Sequence, residues 1–174
     1  MPNLDSNTRI LGIDPGLNIT GYAILESQGP CQRPGVVEAG VIRGGSSKHE
    51  LAERVATIHR GIKDVIASLA PQAMALEELY SHYERPRTSI LMGHARGVIC
   101  LAAAEAEIPV ISYAATRVKK LLTGSGRASK SQVQLAVQRE LSLAELPEPA
   151  DVADALAIAL GHFYLRNRRS PAEC

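Results

Sequence analysis

From Arg9 to Arg43 apolar residues come in three short runs, 9–14, 20–27 and about 36–43. Asp14-Pro15-Gly16 separates the first two, and the Gly/Pro-rich stretch SQGPCQRPG the next pair. Short apolar runs between turn signals predict a three-stranded meander. The period then changes. In SSKHELAERVATIHRGIKDVIASLA, the residues Leu51, Val55, Ile58, Ile62, Val65, Ile66 and Leu69 recur at helical spacing. The serine pair at its start is expected to cap this helix and Pro71 to stop it. QAMALEELY reads as a short buried strand ending in acid. A second helix, apolar on most faces, follows from about Arg87 to Glu107, and PVISY is a further strand. After a basic stretch come a helix from about Lys130 to Leu141 and a last helix, PEPADVADALAIALGHFYL, which opens after two prolines.

Three strands followed by helix–strand–helix–strand predict an α/β fold, a mixed five-stranded sheet flanked by helices. A right-handed crossover through the first helix returns the fourth strand parallel to the first. If the two strands are neighbours, Asp14 and Glu77 end side by side, at the edge where ligand sites of such sheets collect.

The length, 174 residues, suits one domain. We place it at 9–166, with 1–8 a flexible N-terminal extension and 167–174 a flexible C-terminal tail. Hydrophobic residues make up 45% and charged residues 21%, a globular balance. Aromatic residues are only 3%, so the core must be aliphatic and each of the six aromatic side chains is worth locating. Cys31, Cys100 and Cys174 are widely spaced and form no Cys-x-x-Cys pair, as expected of reduced thiols. The start MPNLDSNT has neither a basic nor an apolar segment, and no stretch is apolar enough to span a membrane, so a cytoplasmic protein is expected. A net charge of +1 neither supports nor excludes nucleic acid, because a local patch decides that.

Candidate chemistry lies in the acids. Asp14 has an ordinary explanation as part of an Asp-Pro-Gly turn. Asp151 and Asp154, at i and i+3, share the face continued by Ala155, Ile158 and His162, yet acids in a first helical turn also simply complement the helix dipole. Together the acids say more. Three elements each begin or end with a carboxylate beside buried residues, and gathered carboxylates repel and raise one another's pKa. A divalent cation is the usual remedy, and hard oxygen ligands without a Cys or His cluster favour Mg²⁺ or Mn²⁺. Carboxylates holding two such ions suit in-line displacement at phosphorus.

From Ala114 to Val133 the chain carries Arg117, Lys119, Lys120, Arg127 and Lys130 and no acid. Read blandly this is a solvated basic loop; beside the acidic edge it is a phosphate track, with the Gly/Ser-rich LLTGSGRASKS offering backbone contacts. His49, His59 and His82 are expected at the surface, His94 and His162 in the core, and Arg96 in a structural role. Tyr80, three residues past Glu77, either packs on the sheet edge or stacks on an unpaired base.

Taken in order, ILGIDPG, ALEELY, GHARGV, YAATRVKK, GRASKSQVQ and DVADALAIALGH closely resemble the RuvC family of bacterial Holliday-junction resolvases, from about Ile10 to Gly161. The resemblance implies a ribonuclease-H-like fold and a homodimer that nicks opposing strands of a four-way DNA junction symmetrically in recombination and repair. It implies two Mg²⁺ ions per site, with Mn²⁺ able to substitute, and 5′-phosphate ends. By position, Asp14, Glu77, Asp151 and Asp154 match the catalytic, metal-holding acids. Lys119 and Lys130 match DNA-contacting lysines, and Tyr80 matches an aromatic at the DNA-facing edge. Glu78 and His162 are candidates to support the metal site from behind. RuvA and RuvB are the implied branch-migration partners; no membrane is involved. The chain departs from the family in its near-neutral charge and its N-terminal extension. Two rival readings share part of this pattern. A sugar kinase or actin-like ATPase, which shares "GID-x-G", needs two related domains, and a non-catalytic junction-binding module would have lost its acids.

Overall fold

The computed structural model describes residues 7–29, 32–79 and 86–166. In chain order the elements are β1 (Arg9–Asp14), β2 (Ile19–Glu26), β3 (Gly35–Arg43), α1 (Leu51–Leu69), β4 (Ala73–Glu77), α2 (Pro86–Glu105), β5 (Val110–Tyr113), α3 (Ala115–Thr123), α4 (Lys130–Glu140) and α5 (Ala150–Arg166). The strands form one mixed sheet in the order β3-β2-β1-β4-β5. The meander is present: β1 and β2 are antiparallel, as are β2 and β3, with a bulge at Ile24/Leu25. The crossover through α1 brings β4 back parallel to β1. In that register Ile13 faces Leu76, so Asp14 and Glu77, one residue further on, end neighbouring strands at the same edge.

Alternation along β1 builds two cores. Ile10 points to one face, where α5 packs against the sheet and α3 and α4 cover it in turn. Leu11 and Ile13 point to the other face, covered by α1 and α2. Because α5 lies between the sheet and two further helices, it is buried almost continuously from Val152 to Tyr164. It reaches the sheet through two glycines. A methyl on Gly12 would lie 2.3 Å from the Ala155 carbonyl oxygen, and one on Gly21 would lie 2.0 Å from that of Asp151. Only bare backbone lets the helix come this close. Gly21 is also the register partner of Asp14. The first turn of α5 is thereby seated beside the end of β1.

Three sequence expectations are corrected. The serine pair does not cap α1: Glu50 takes the cap position without a side-chain bond. Ser46 instead closes a turn ahead of the helix, its hydroxyl accepting from the Lys48 N–H at 3.3 Å. The C-terminal end behaves as expected: Ala70 adopts the left-handed conformation and donates to the Ile66 carbonyl, and Pro71 follows. The basic stretch after β5 is not a loop throughout, because residues 115–123 form α3, capped by left-handed Gly124. His94 is exposed and not a core residue, since it lies on the outward face of α2. His49 is exposed as expected. His59 is partly buried and paired with Glu105 at 3.3 Å. His82, Tyr80, Tyr83, Cys31 and Cys174 lie outside the described residues, as do residues 1–6 of the N-terminal extension and the whole tail 167–174. Asn7 and Thr8 continue the β1–β2 ladder through Ser27. Among the described residues no helix is long and apolar enough to cross a membrane.

Candidate active site

The carboxyl ends of β1 and β4 and the first turns of α3, α4 and α5 enclose a cavity of about 260 Å³. Asp14, Glu77 and Asp154 line it together with Lys119 and Lys130; Val118, Val133 and Ile158 supply apolar wall. Each polar group has a local reason for its place. Asp14 ends β1. Glu77 ends β4, and Arg96 of α2 fixes that end by donating to the Glu77 carbonyl oxygen and, at 2.6 Å, to the Ser112 hydroxyl of β5. This agrees with the structural role expected of Arg96. Asp154 comes from the turn of α5 seated on Gly21. Lys130 opens α4, whose cap is a full capping box in which Ser129 accepts from the Gln132 N–H and Gln132 accepts from that of Ser129.

The electrostatics of the cavity are unfavourable to the acids. Burial pushes the Asp14 carboxyl up to about 7, and the charges of Asp154, Glu77 and Asp151 add to the rise. Glu77 is raised by burial and by Asp154. Asp154 is raised chiefly by burial. The relief comes from the lysines: Lys130 opposes all three shifts, and its ammonium lies 3.8 Å from the Asp154 carboxylate. Lys119 opposes those of Glu77 and Asp154. Among the described residues no three acid, His or Cys side chains already stand close enough to grip one ion. A cation with oxygen preference fits the donor set all the same, because it would offset the charge that these carboxylates impose on one another.

The remaining candidates are spread more widely. Asp151 does not line this cavity; it opens onto a neighbouring groove beside the β1–β2 turn. Glu78 is exposed, and its backbone N–H extends the sheet by donating to the Tyr113 carbonyl at 2.9 Å. His162 is buried, its Nδ1 2.9 Å from the Tyr113 hydroxyl, and burial lowers its pKa to about 4. It therefore serves the core behind the cavity as a neutral ring. Arg117, Lys120 and Arg127 are exposed and stand outside the cavity lining, so the basic run divides into two cavity lysines and three surface cations. Of the aromatics, Tyr113, Phe163 and Tyr164 are buried and Tyr22 bonds Glu38; no described aromatic lines the cavity.

Comparison with known proteins now bears directly on this geometry. The family model "Crossover junction endodeoxyribonuclease RuvC" matches residues 10–162. The chain belongs to the RuvC family. A RuvC from Rhodopirellula baltica is 61% identical over 91% of this chain and 87% of its own length. One from Halothermothrix orenii is 44% identical over 92% and 96%. Among solved structures, Thermus thermophilus RuvC in complex with Holliday junction substrate matches with a TM-score of 0.84 and 34% identity over 94% of this chain and 98% of that one. The yeast mitochondrial Holliday junction resolvase Ydc2 shares the fold alone, with a TM-score of 0.67 at 13% identity, over 95% of this chain and 81% of that one. The ribonuclease-H-like architecture expected from the sequence is thus the one observed, and in this chain the sheet ends in Asp14 and Glu77 at its carboxyl edge.

One residue of this region escaped the sequence analysis. Arg54 of α1 is buried beneath the β1–β2 turn, where it donates to the Asn18 side-chain carbonyl. A signal was available: Arg54 precedes Ile58 by four residues and so falls on the apolar stripe of α1, an unusual place for an arginine.

Proposed function

We propose that this chain resolves four-way (Holliday) DNA junctions as a divalent-metal-dependent endonuclease, making paired symmetric nicks. The observation that carries the reading is the convergence of Asp14, Glu77 and Asp154 with Lys119 and Lys130 around one cavity, in a chain of the RuvC family. Asp14, Glu77, Asp151 and Asp154 would hold two Mg²⁺ ions, for which Mn²⁺ can stand in; when bound, the ions supply an activated water and charge for the departing oxygen. Folding the acids together before any ion arrives, at a cost in mutual repulsion, gives a site that gains by taking cations. Lys119 and Lys130 bind phosphate oxygens and draw the strand over the acids, while Arg117, Lys120 and Arg127 extend the track. Water attacks phosphorus as the bond to O3′ breaks, so the nick leaves a 5′-phosphate and a 3′-hydroxyl. Tyr80 would stack on a base unpaired at the crossover, helping the scissile phosphate to reach the acids.

Two simultaneous nicks in a two-fold symmetric junction call for two copies related by the same symmetry. The outward face of α2 supports this. Ile90 and Leu101 are 63% and 51% exposed, and His94, Gly97 and Ala104 fall on the same side at helical spacing. We assign that stripe to a homodimer contact. The setting is a bacterial cytoplasm, with RuvA and RuvB as branch-migration partners. A non-catalytic junction-binding module would have no need to gather repelling carboxylates. One experiment tests the whole reading: a synthetic four-way junction and a linear duplex of the same sequence, each with Mg²⁺ or with EDTA. Paired nicks with ligatable ends are expected only in the junction with Mg²⁺, from a species of twice the 18.6 kDa chain mass. Equal cutting of the duplex, or nicking in EDTA, would overturn it.

A further inference from the structure

Beside the acid cavity lies a second depression, a groove of about 340 Å³ between the Gly16–Ile19 turn, α1 and the start of α2. Arg54 forms part of its lining. At 7% exposure it is the only buried Asp, Glu, Lys or Arg side chain among the described residues. One of its terminal nitrogens donates to the Asn18 carbonyl, but its Nε has no partner. No described carboxylate lies within ion-pair distance of it. A guanidinium taken out of water against a single neutral acceptor is costly to the fold. Residues that break a folding rule in this way are expected at functional sites.

The surroundings say what would pair with it. Thr88, in the first turn of α2, lines the groove, and that turn itself holds no acid, so the helix dipole there favours an anion. Leu17, Leu91 and Met92 give an apolar wall, which strengthens any charge contact made inside. The groove is contiguous with the turn that follows Asp14, and Asp151 forms part of its wall. Among the described residues Asp151 is the one carboxylate in that lining. It opposes an anion by itself, but it belongs to the acids assigned above to metal, whose charge would offset it. A phosphate fits this chemistry better than a carboxylate-bearing partner, because the groove adjoins the turn that follows Asp14 and a guanidinium fork matches phosphate oxygens two at a time.

We propose that this groove seats a backbone phosphate of the junction strand flanking the phosphate that is cut, with Arg54 as its counter-charge and the Thr88 hydroxyl as a second donor. The proposal rests on the junction-cleaving reading above. Lys119 and Lys130 are long side chains that can adjust to DNA; Arg54 is held in place beforehand and so fixes the register of the strand against Asp14.

Junction binding measured by fluorescence anisotropy with Ca²⁺ in place of Mg²⁺, so that a cation with oxygen preference offsets the acids, over a range of salt, tests it with Arg54→Met and Arg54→Lys, and with Lys119→Ala for comparison. Arg54→Met should bind about tenfold more weakly, with a log–log salt slope lower by about one, and Arg54→Lys should fall between. Arg54→Met should also melt at or above the wild-type temperature, because an uncompensated buried charge is gone. A series of junctions with single methylphosphonates near the cut should show one flanking position that weakens wild-type binding and is silent in Arg54→Met. If Arg54→Met melts far below wild type while affinity and slope per folded molecule are unchanged, Arg54 merely tethers Asn18 and the proposal fails. Should that variant not fold, Thr88→Val decides in the same series: two- to threefold weakening through the same phosphate sustains the proposal, and no change overturns it. A wild-type protein that neither binds nor nicks the junction defeats the reading on which this rests; normal nicking with no dependence on Arg54 or Thr88 defeats only this inference.

Discussion

The two ends of β1 are built on opposite principles. At its start, Arg9 is held by three bonds. Its Nε donates to Glu26 at 2.9 Å and one terminal nitrogen to the Leu69 carbonyl at 2.9 Å, while its backbone N–H donates to the Gln72 side chain at 2.6 Å. These bonds tie together β1, β2 and the end of α1. Five residues on, Asp14 meets Glu77 and Asp154, two more acids, and the charge that relieves it is Lys130, 76% exposed and 3.8 Å from Asp154. One end of the strand is satisfied and the other is held in tension. Stability is invested where nothing reacts, and the edge assigned to chemistry is left short of positive charge.

The sharpest way to break this contrast is to neutralise the crowded end. Asp14→Asn, Glu77→Gln and Asp154→Asn keep shape but remove the charge that would hold metal. Each should slow junction nicking by about a thousandfold, a few kcal/mol of transition-state stabilisation, while junction binding persists. Nicking and gel-shift assays on one preparation check this; near-normal nicking by Asp14→Asn would remove Asp14 from the site.

A smaller effect sharpens the same contrast from the side of stability. The folded pKa of Asp14, about 7, lies above its ordinary value of 3.8. Between those limits the folded state holds more protons than the unfolded one, so this group lowers stability as pH rises through that window. Asp14→Asn is spared that loss. In EDTA, the variant's advantage over wild type should grow from about pH 4 to pH 7 and level off above, reaching about 2–4 kcal/mol at most. His162, lowered to about 4 by burial, acts oppositely and stabilises as pH rises toward 6.5, but it does so in both proteins and cancels in the difference. Melting curves at pH 5 and pH 8 give the answer; an advantage that does not grow with pH would mean that Asp14 is not under strain.

The smallest effect belongs to the satisfied end. Arg9→Met should cost about 1–2 kcal/mol of stability, because the pair with Glu26 is partly exposed and the carbonyl bond modest. Nicking per folded molecule should be unchanged. Chemical denaturation with an activity assay on the same variant reads both, and a loss of specific activity would show that the two ends are not independent.

Much of this arrangement was legible beforehand. The apolar runs gave β1, and β2 and β3 to within a residue, because Pro and Gly punctuate them sharply. The right-handed crossover rule made β4 parallel to β1, which puts Asp14 beside Glu77 on the condition, met in the structure, that the two strands are neighbours. What the sequence hid had physical causes. Helix α3 is masked in the sequence by the charges of Arg117, Lys119 and Lys120, although Ala115, Val118 and Leu122 keep a helical spacing beneath them. Asp151 and Asp154 share a helix face, yet they open onto different depressions, and Asp151 is the one packed against Gly21 of the sheet, a contact that no one-dimensional pattern displays. Arg54 was legible as an oddity on an apolar stripe, but its meaning depends on a turn 36 residues earlier.

The seating of α5 on Gly12 and Gly21 has a thermal consequence. Most catalytic groups stand on contacts made by side chains, which loosen by rotamer exchange well before a protein melts. Here backbone rests on backbone, and there is no side chain between to loosen. The separation of Asp14 from the first turn of α5 is as stiff as the helix and the sheet themselves. Warming should therefore leave the spacing of the acids sharp until the sheet gives way, so that heat takes nicking activity and the fold together, at one temperature.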